Sequence, residues 1–286
     1  MKTSTKKGIV QAIGFFALRA AMGLVLAVLL LFLYDIGKKG GGAISWEFLS
    51  QAPRRGMTEG GIFPAIVGTF FVTLITAILA VPLGMSAAIY LHEYAKQSRL
   101  TRLIRLSIRN LSGVPSIVYG LFGVILFVNV MRFGTSILSA GLTLGLMTLP
   151  WTITASEEAL KTVPNSYREG AMALGATKWQ TIRTNVLPYA VSGMLTGTIL
   201  GLARAAGETA PILFTGAAFY LPFLPKSLSD QFMALPYHLY IMATQHHAIQ
   251  QVRPLAYGTA LVLIVLVLGM NMTAVVLRYR LRRKQR

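Results

Sequence analysis

The residues of this chain best placed to do chemistry lie together. Arg204, Gly207, Glu208, Thr209 and Pro211 all fall inside one long apolar block, residues 186–220. Arg204 and Glu208 are four apart, so on a helix they share a face and can pair. A guanidinium matches an oxyanion with two parallel hydrogen bonds. An ionisable residue at membrane depth is costly and reads first as functional. Two readings stand: an oxyanion-receptive cation tempered by a neighbouring carboxylate, so that the anion can leave again, or an ion pair that only fixes local structure. Pro211 lacks a backbone donor and drives Ala210 out of the helical region. Gly207 weakens the helix just before it. The block is therefore predicted to break at the charged pair and to resume as a short second element. Such breaks at membrane depth are tolerated only against protein or a water-filled cavity.

Other chemistries find no support. The chain has no cysteine, which removes disulfides and thiolate metal sites. His92, His238, His246 and His247 show no metal-ligand spacing, and they read as solvated loop residues. The adjacent pair His246 and His247 is expected to point to different sides. Gly37-Lys38 lacks the preceding glycine of a nucleotide-binding loop, and Lys39 stands where Ser or Thr is needed. Glu157 and Glu158 are the one candidate catalytic pair, and neighbours on a helix face apart. No catalytic residue, metal or cofactor is assigned, and an intramembrane enzyme remains only as the alternative class.

The elements that position these residues are membrane helices. The chain is 54% hydrophobic and only 13% charged, with a mean hydropathy of +0.61; a soluble domain carries roughly a quarter charged residues. Six apolar blocks, residues 13–34, 63–91, 108–131, 137–153, 186–220 and 255–277, are each of the order needed to span a hydrocarbon core. Helices satisfy their own backbone groups there, which predicts an all-α, polytopic helical bundle with six transmembrane helices in a single domain, residues 1–286. The first block exceeds a secretory signal core and reads as a retained span. The net charge of +18 is not a nucleic-acid footprint, because the cations flank the apolar blocks. Lys2, Lys6 and Lys7, then Lys96 to Arg105, then Lys161 to Arg183, then the tail with Arg278, Lys284 and Arg286 fall on one side and outnumber those on the other. This places both termini in the cytoplasm of an inner-membrane protein. Arg19 and Arg109 read as snorkelling cations, and Gly113-Val114-Pro115 is expected to break or kink the third span. A short helix over residues 237–250 is expected to cap the bundle.

Two further patterns concern packing and docking. Gly193, Gly197 and Gly201 repeat every fourth residue on one face, which predicts close helix approach, within the bundle or to a second membrane chain. In the loop of residues 163–188, Ser166 to Glu169 fits a capping box and predicts a helix over 167–174, ended by Gly175 in a left-handed conformation. Thr177 to Gln180 fits a second box. Ala171, Leu174 and Trp179 would give this rigid knob exposed apolar anchors.

Glu169-Gly170-Ala171, Gly175 and Leu187-Pro188 keep the spacing of, and so resemble, the EAA loop of binding-protein-dependent ABC permeases. Gly170 departs at the first alanine and Asn185 at an aliphatic position. The run Gly201 to Leu213, with Asn110 to Gly123 and Ser156 to Pro164, is similar to PstA-type phosphate permeases. The resemblance implies a type I (MetI-like) ABC importer permease with its core in residues 62–278. It implies inorganic phosphate moved by alternating access past Arg204, Glu208 and Thr209. It also implies four kinds of contact: a homologous permease in a heterodimer, an ATPase dimer docked on Glu169, Gly170, Ala171, Leu174 and Gly175, an extracytoplasmic phosphate-binding protein, and membrane lipid. Another oxyanion, or the partner permease type of the same importer, stays open as an alternative.

Overall fold

A computed structural model describes residues 2–283; Lys284 and Arg286, counted among the tail cations, lie outside the described residues. The chain runs α1 (Lys2–Gly41), α2 (Trp46–Ser50), a hairpin of β1 (Pro53–Arg54) and β2 (Glu59–Gly60), α3 (Phe63–Ile89), α4 (Arg99–Leu111), α5 (Ser116–Gly123), α6 (Ile137–Lys161), α7 (Asn165–Ala173), α8 (Lys178–Thr181), α9 (Leu187–Ala206), α10 (Ala210–Thr215), α11 (Leu235–Thr244) and α12 (Ile249–Arg283). Wide π-helical turns extend α3 through Tyr90–Tyr94 and α5 through Val124–Val130, and Ile182–Val186 leads into α9.

Among the described residues five stretches are long and apolar enough to cross a membrane: Gln11–Gly41, Phe63–Tyr94, Ile137–Lys161, Lys178–Ala206 and Ile249–Arg280. Arg99–Leu111 with Ser116–Val130 makes a sixth when the two are counted as one broken span, and this pair is bent by 104°. The third block is therefore not one helix from residue 108. Pro115 is extended, and α4 in front of it is amphipathic, with Arg102 and Arg109 on one side and Leu100, Leu103 and Ile104 on another. The break expected at Gly113 to Pro115 is a right-angled turn.

The centre of the bundle is α6, packed between α3 and α9. Lipid offers no hydrophobic drive between helices, so close contact rests on small residues. A Cβ on Gly84 would meet the Thr152 side chain, and one on Gly145 would meet Leu79. Buried threonines return their hydroxyl protons to the preceding turn, as Thr76 Oγ1 does to Val72 O at 2.8 Å. Ser136 caps α6, accepting the Ser139 N–H at 3.1 Å. At the end far from the α6–α9 loop, the segment Phe232–Leu235 is fully buried, and Thr69 Oγ1 accepts the Leu235 N–H at 2.8 Å.

Three expectations need correction at this far end. The helix there is α11, which stops at Thr244, and residues 245–248 form a turn. His246 and His247 lie in that turn, where the argument from helix or strand geometry does not apply, and their rings stack with centroids 4.5 Å apart. Nor are His238 and His246 solvated, for both are buried. His246 Nε2 donates to Gly56 O at 2.6 Å, and Nδ1 accepts the Ala248 N–H at 3.0 Å. A carbonyl only accepts, so these bonds fix the neutral tautomer. Gly56 sits in a left-handed run with Arg55 (φ 44°) and Met57 (φ 74°).

Burial pushes the His238 imidazole down from 6.5 to about 4. The unfolded segment then binds more protons than the folded one between these values, so stability is complete above about pH 6.5 and is lost as pH falls toward 4. The expected loss is about 1.4 kcal/mol per pH unit within that window. Melting temperature recorded between pH 7 and 5 checks this: the profile flattens in a His238→Phe chain, and equal slopes in the two chains refute it.

Candidate functional site

Helix α9 ends where its sequence says it should. Arg204 lies in its last turn, Gly207 is the C-cap, and α10 restarts at Ala210 with Pro211 in its first turn. The negative end of α9 and the positive end of α10 thus meet across Gly207 to Thr209, with a cation on the first and a carboxylate before the second, as the helix dipoles favour. Arg204 Nε donates to Glu208 Oε1 at 3.3 Å. The guanidinium also lies over the Trp151 ring, 5.5 Å from its centroid, within cation–π range. Among the described residues Arg204 donates only through Nε, so the two Nη groups, the outer edge of the fork, are not engaged. The Arg204 side chain is 49% exposed and that of Glu208 17%. Thr209 stands at the N-cap of α10 without a side-chain cap bond. The structure therefore brings Arg204, Glu208 and the Gly207 break together, with Thr209 adjoining.

The walls are set by glycine. A Cβ on Gly193 would lie 2.9 Å from the Ala159 methyl, and one on Gly201 3.2 Å from Thr148 Cγ2; one on Gly197 would collide with the Ala155 methyl. All three glycines face α6 of the same chain. From the other side, Gly120 of α5 lets α10 approach, its missing Cβ facing Pro211 Cα at 3.0 Å. Trp151, which supports Arg204, was not singled out from the sequence. Its signal was Pro150-Trp151, an aromatic beside a proline in an apolar block.

A cavity of about 570 Å³ between α4, α5 and α6 is lined by Val118, Tyr119, Phe122, Leu146 and Leu149, among others. Its one hydroxyl, on Tyr119, already donates to Leu111 O at 3.0 Å. It offers an oxyanion no donor.

The α6–α9 loop is a rigid knob. Helix α7 begins at Asn165, one residue before the expected cap. Pro164, extended at ψ 142°, ends the preceding turn, and Ser166 makes no cap bond. The capping box at Ser166 is thus absent, because Pro164 already sets the start and leaves Ser166 inside the first turn. The end is as expected. Gly175 has φ +83°, its N–H bonds Met172 O at 3.0 Å, and Ala176 N–H bonds Ala171 O at 3.1 Å, a complete Schellman motif. The second box forms, with Thr177 Oγ1 accepting from Gln180 N and Gln180 Oε1 accepting from Thr177 N. Leu174 is 91% and Trp179 54% exposed, Glu169 and Gly170 are exposed, and Ala171 is half-buried. Nothing lies within 4 Å of a Cβ built on Gly170. Gly170→Ala is accordingly expected to stabilise α7 by about 0.5–1 kcal/mol, read as a higher melting temperature; a lower one contradicts it.

Four charged residues lie at this end of the bundle, where sequence reasoning used Arg105 and Arg168 only as topology signals, set Glu157 aside and passed over Glu93. Arg168 pairs with Glu93 at 2.7 Å, and Arg105 pairs with Glu157 at 3.1 Å. Glu158 pairs separately with Lys161, so the adjacent glutamates do face apart. Glu93 carried a signal, being the single carboxylate between Glu59 and Glu157. His/Asp/Glu groups able to hold a metal are absent among the described residues.

Residues 80–286 match the family model described as the binding-protein-dependent transport system inner membrane component. The chain is 33% identical to the probable ABC transporter permease protein YqgI of Bacillus subtilis, over 92% of each protein. It is 36% identical to the phosphate transport system permease protein PstA 1 of Mycobacterium tuberculosis, over 79% of this chain and 72% of that protein. Its fold is like that of a chain in the crystal structure of a bacterial ABC transporter involved in the import of the acidic polysaccharide alginate. The TM-score there is 0.64 at 13% identity, over 93% of this chain and 96% of the other.

Proposed function

Because this chain belongs to the family of binding-protein-dependent transport system inner membrane components, we propose that it is the PstA-type permease subunit of an ATP-driven importer of inorganic phosphate. The observation that carries the anion path is Arg204. Its guanidinium stands at a helix break with one nitrogen on Glu208 and its outer fork unengaged. Phosphate presents oxygens that this fork can take two at a time. Glu208 keeps the cation partly neutralised, so an anion is held loosely and released, and Thr209 adds a hydroxyl beside the path.

The permease core is residues 62–278, with both termini in the cytoplasm. A homologous permease completes the pathway, and an extracytoplasmic phosphate-binding protein delivers the anion. An ATPase dimer seats on the two cytoplasmic loops, in this chain residues 163–188 with Leu174 and Trp179 as anchors. ATP hydrolysis belongs to that partner. The cycle is alternating access: closure of the ATPase dimer opens the cavity outward, and hydrolysis resets it.

The test is co-purification with a cognate permease and ATPase, reconstitution in vesicles, and ATP-driven uptake of radiolabelled inorganic phosphate, competed by sulfate. Uptake that needs all partners and resists sulfate supports the reading. An assembled complex that moves sulfate and not phosphate, or a lone chain that transports without ATPase, overturns it.

A further inference from the structure

The apolar cavity between α4, α5 and α6 has no part in the anion path, yet it does not stand alone. At one end it meets a polar cavity of about 150 Å³, lined by Arg105, Arg109, Thr154, Glu157 and Lys161, among others. Ile108 lines both, and on α6 the lining passes from Ile153 in the first to Thr154 in the second. The polar cavity carries positive charge that the chain does not use. Glu157 is taken by Arg105 at 3.1 Å and Glu158 by Lys161 at 2.6 Å. Among the described residues the Arg109 guanidinium makes no ion pair or hydrogen bond, and the Thr154 hydroxyl makes no hydrogen bond. A whole guanidinium fork and a hydroxyl thus line a space whose carboxylates are already neutralised.

Helix α4 sets these groups at a definite depth. It stands at 104° to the α5 segment, so with α5 crossing the bilayer α4 runs along its surface. Arg99, Arg102 and Arg109 have no carboxylate partner among the described residues, while Leu100, Leu103 and Ile104 are exposed on another side. A helix of this kind lies at the boundary of headgroups and acyl chains, its cations among the headgroups. Arg109 then stands at the level of the lipid phosphates, and the apolar cavity lies one step deeper, in the hydrocarbon. Val118 and Phe122 on the α5 wall of that cavity are exposed, so it is open to the bilayer.

We propose that the two cavities form one site for an anionic phospholipid, with its phosphate on Arg109 and Thr154 and an acyl chain along Val118, Phe122, Leu146 and Leu149. The apolar part, about 570 Å³, falls within the roughly 300–1,000 Å³ of ligand cavities. A guanidinium takes phosphate oxygens two at a time. The surplus cations of α4 favour a headgroup of net negative charge over a zwitterionic one. A span from a second protein would fill the apolar part and leave Arg109 without a partner, which is why the lipid is the better occupant. Seated there, the acyl chain braces α5, whose Gly120 lies against Pro211 of α10, and α6 beside Trp151. The site needs only that the chain spans a membrane, and it stands apart from the phosphate reading.

The experiment exposes the full chain, in detergent micelles, to phosphatidylglycerol with a photoreactive acyl tail, and maps the cross-links by mass spectrometry. The label is expected on the peptide that carries Val118 and Phe122. Unlabelled phosphatidylglycerol should displace it at least tenfold better than phosphatidylcholine with the same tails, and inorganic phosphate should not displace it. Arg109→Gln weakens labelling about tenfold, as loss of a charge-assisted contact does, and Arg109→Lys recovers part of it. Val118→Trp closes the open side of the cavity and abolishes labelling, a result that holds even if Arg109→Gln does not fold. Label spread evenly over the exposed spans, or equal displacement by phosphatidylcholine, overturns the proposal. Displacement by inorganic phosphate makes this a site for the free anion and overturns it too. Labelling of the lone chain that disappears when a cognate permease binds makes the face a protein interface, with the same consequence.

Discussion

Arg204→Ala lowers ATP-driven phosphate uptake roughly 10- to 100-fold while the complex still assembles. The magnitude follows from the bonds lost. Hydrogen bonds to a charged group contribute about 1.5–3 kcal/mol, and each 1.4 kcal/mol is tenfold. Arg204 holds Glu208 with Nε alone and rests on the Trp151 ring, so the fork toward the path is what the variant removes. Arg204→Lys restores the charge without the fork and recovers uptake only in part. The decisive control is Arg204→Ala with Glu208→Ala. If Arg204 served only to neutralise Glu208, removing both charges together would leave transport normal, since no unpaired carboxylate would remain. If Arg204 receives phosphate, the double variant stays as slow as the single one. Normal uptake by Arg204→Ala itself removes the pathway role outright.

Gly197→Leu abolishes recovery of folded protein from the membrane. The α6–α9 contact is set by a methyl of Ala155 lying where a Cβ on Gly197 would be. Neither helix can yield alone, because α6 is also pressed on α3 along its other face. Adding even one methyl here costs about 1–3 kcal/mol, as overpacking does, and a leucine exceeds what repacking absorbs. The three glycines should grade in the order of their clearances: Gly201→Ala mild, Gly193→Ala intermediate, Gly197→Ala most severe, in melts followed by size-exclusion recovery. Ala155→Gly should rescue Gly197→Ala by returning the space. A Gly197→Leu chain with an unchanged melt, or no rescue by Ala155→Gly, refutes this account of the contact.

The features legible in the sequence are those with local causes. Apolar runs of membrane length gave the spans, and the Gly207 and Pro211 pair gave the break. Gly175 gave a loop-helix terminus because only a left-handed residue closes a Schellman motif without strain. The glycine register gave a close helix contact, though not the identity of the partner, since a four-residue repeat does not say which helix lies opposite. What sequence reasoning missed depends on contacts far along the chain. Arg168 and Glu93 are 75 residues apart, and each reads by itself as an interfacial charge. The turn between α4 and α5 was placed correctly, yet its sharpness follows from the amphipathic pattern of α4, which a reading by hydropathy alone merges into the next span. The Ser166 box failed because Pro164 set the start of α7 first. The buried histidines defied expectation because α11 packs on α12 and α3 and His246 reaches Gly56 between β1 and β2, contacts that no neighbouring residue in the sequence announces.

One consequence of the packing concerns how the protein is made. Helix α1 lies chiefly on α12. Their contact is drawn in where a Cβ on Gly40 would meet Tyr257 O at 2.6 Å, and Lys39 Nζ reaches the Tyr257 hydroxyl at 3.5 Å across 218 residues of chain. At about 5–20 residues per second, a ribosome takes roughly 10–40 s to cover that stretch. Throughout that interval α1 is stable in the bilayer as a single helix but lacks α12, the neighbour it will lean on. The clasp between the two forms only once α12 is made, so this contact closes after the helices that lie between them in the chain.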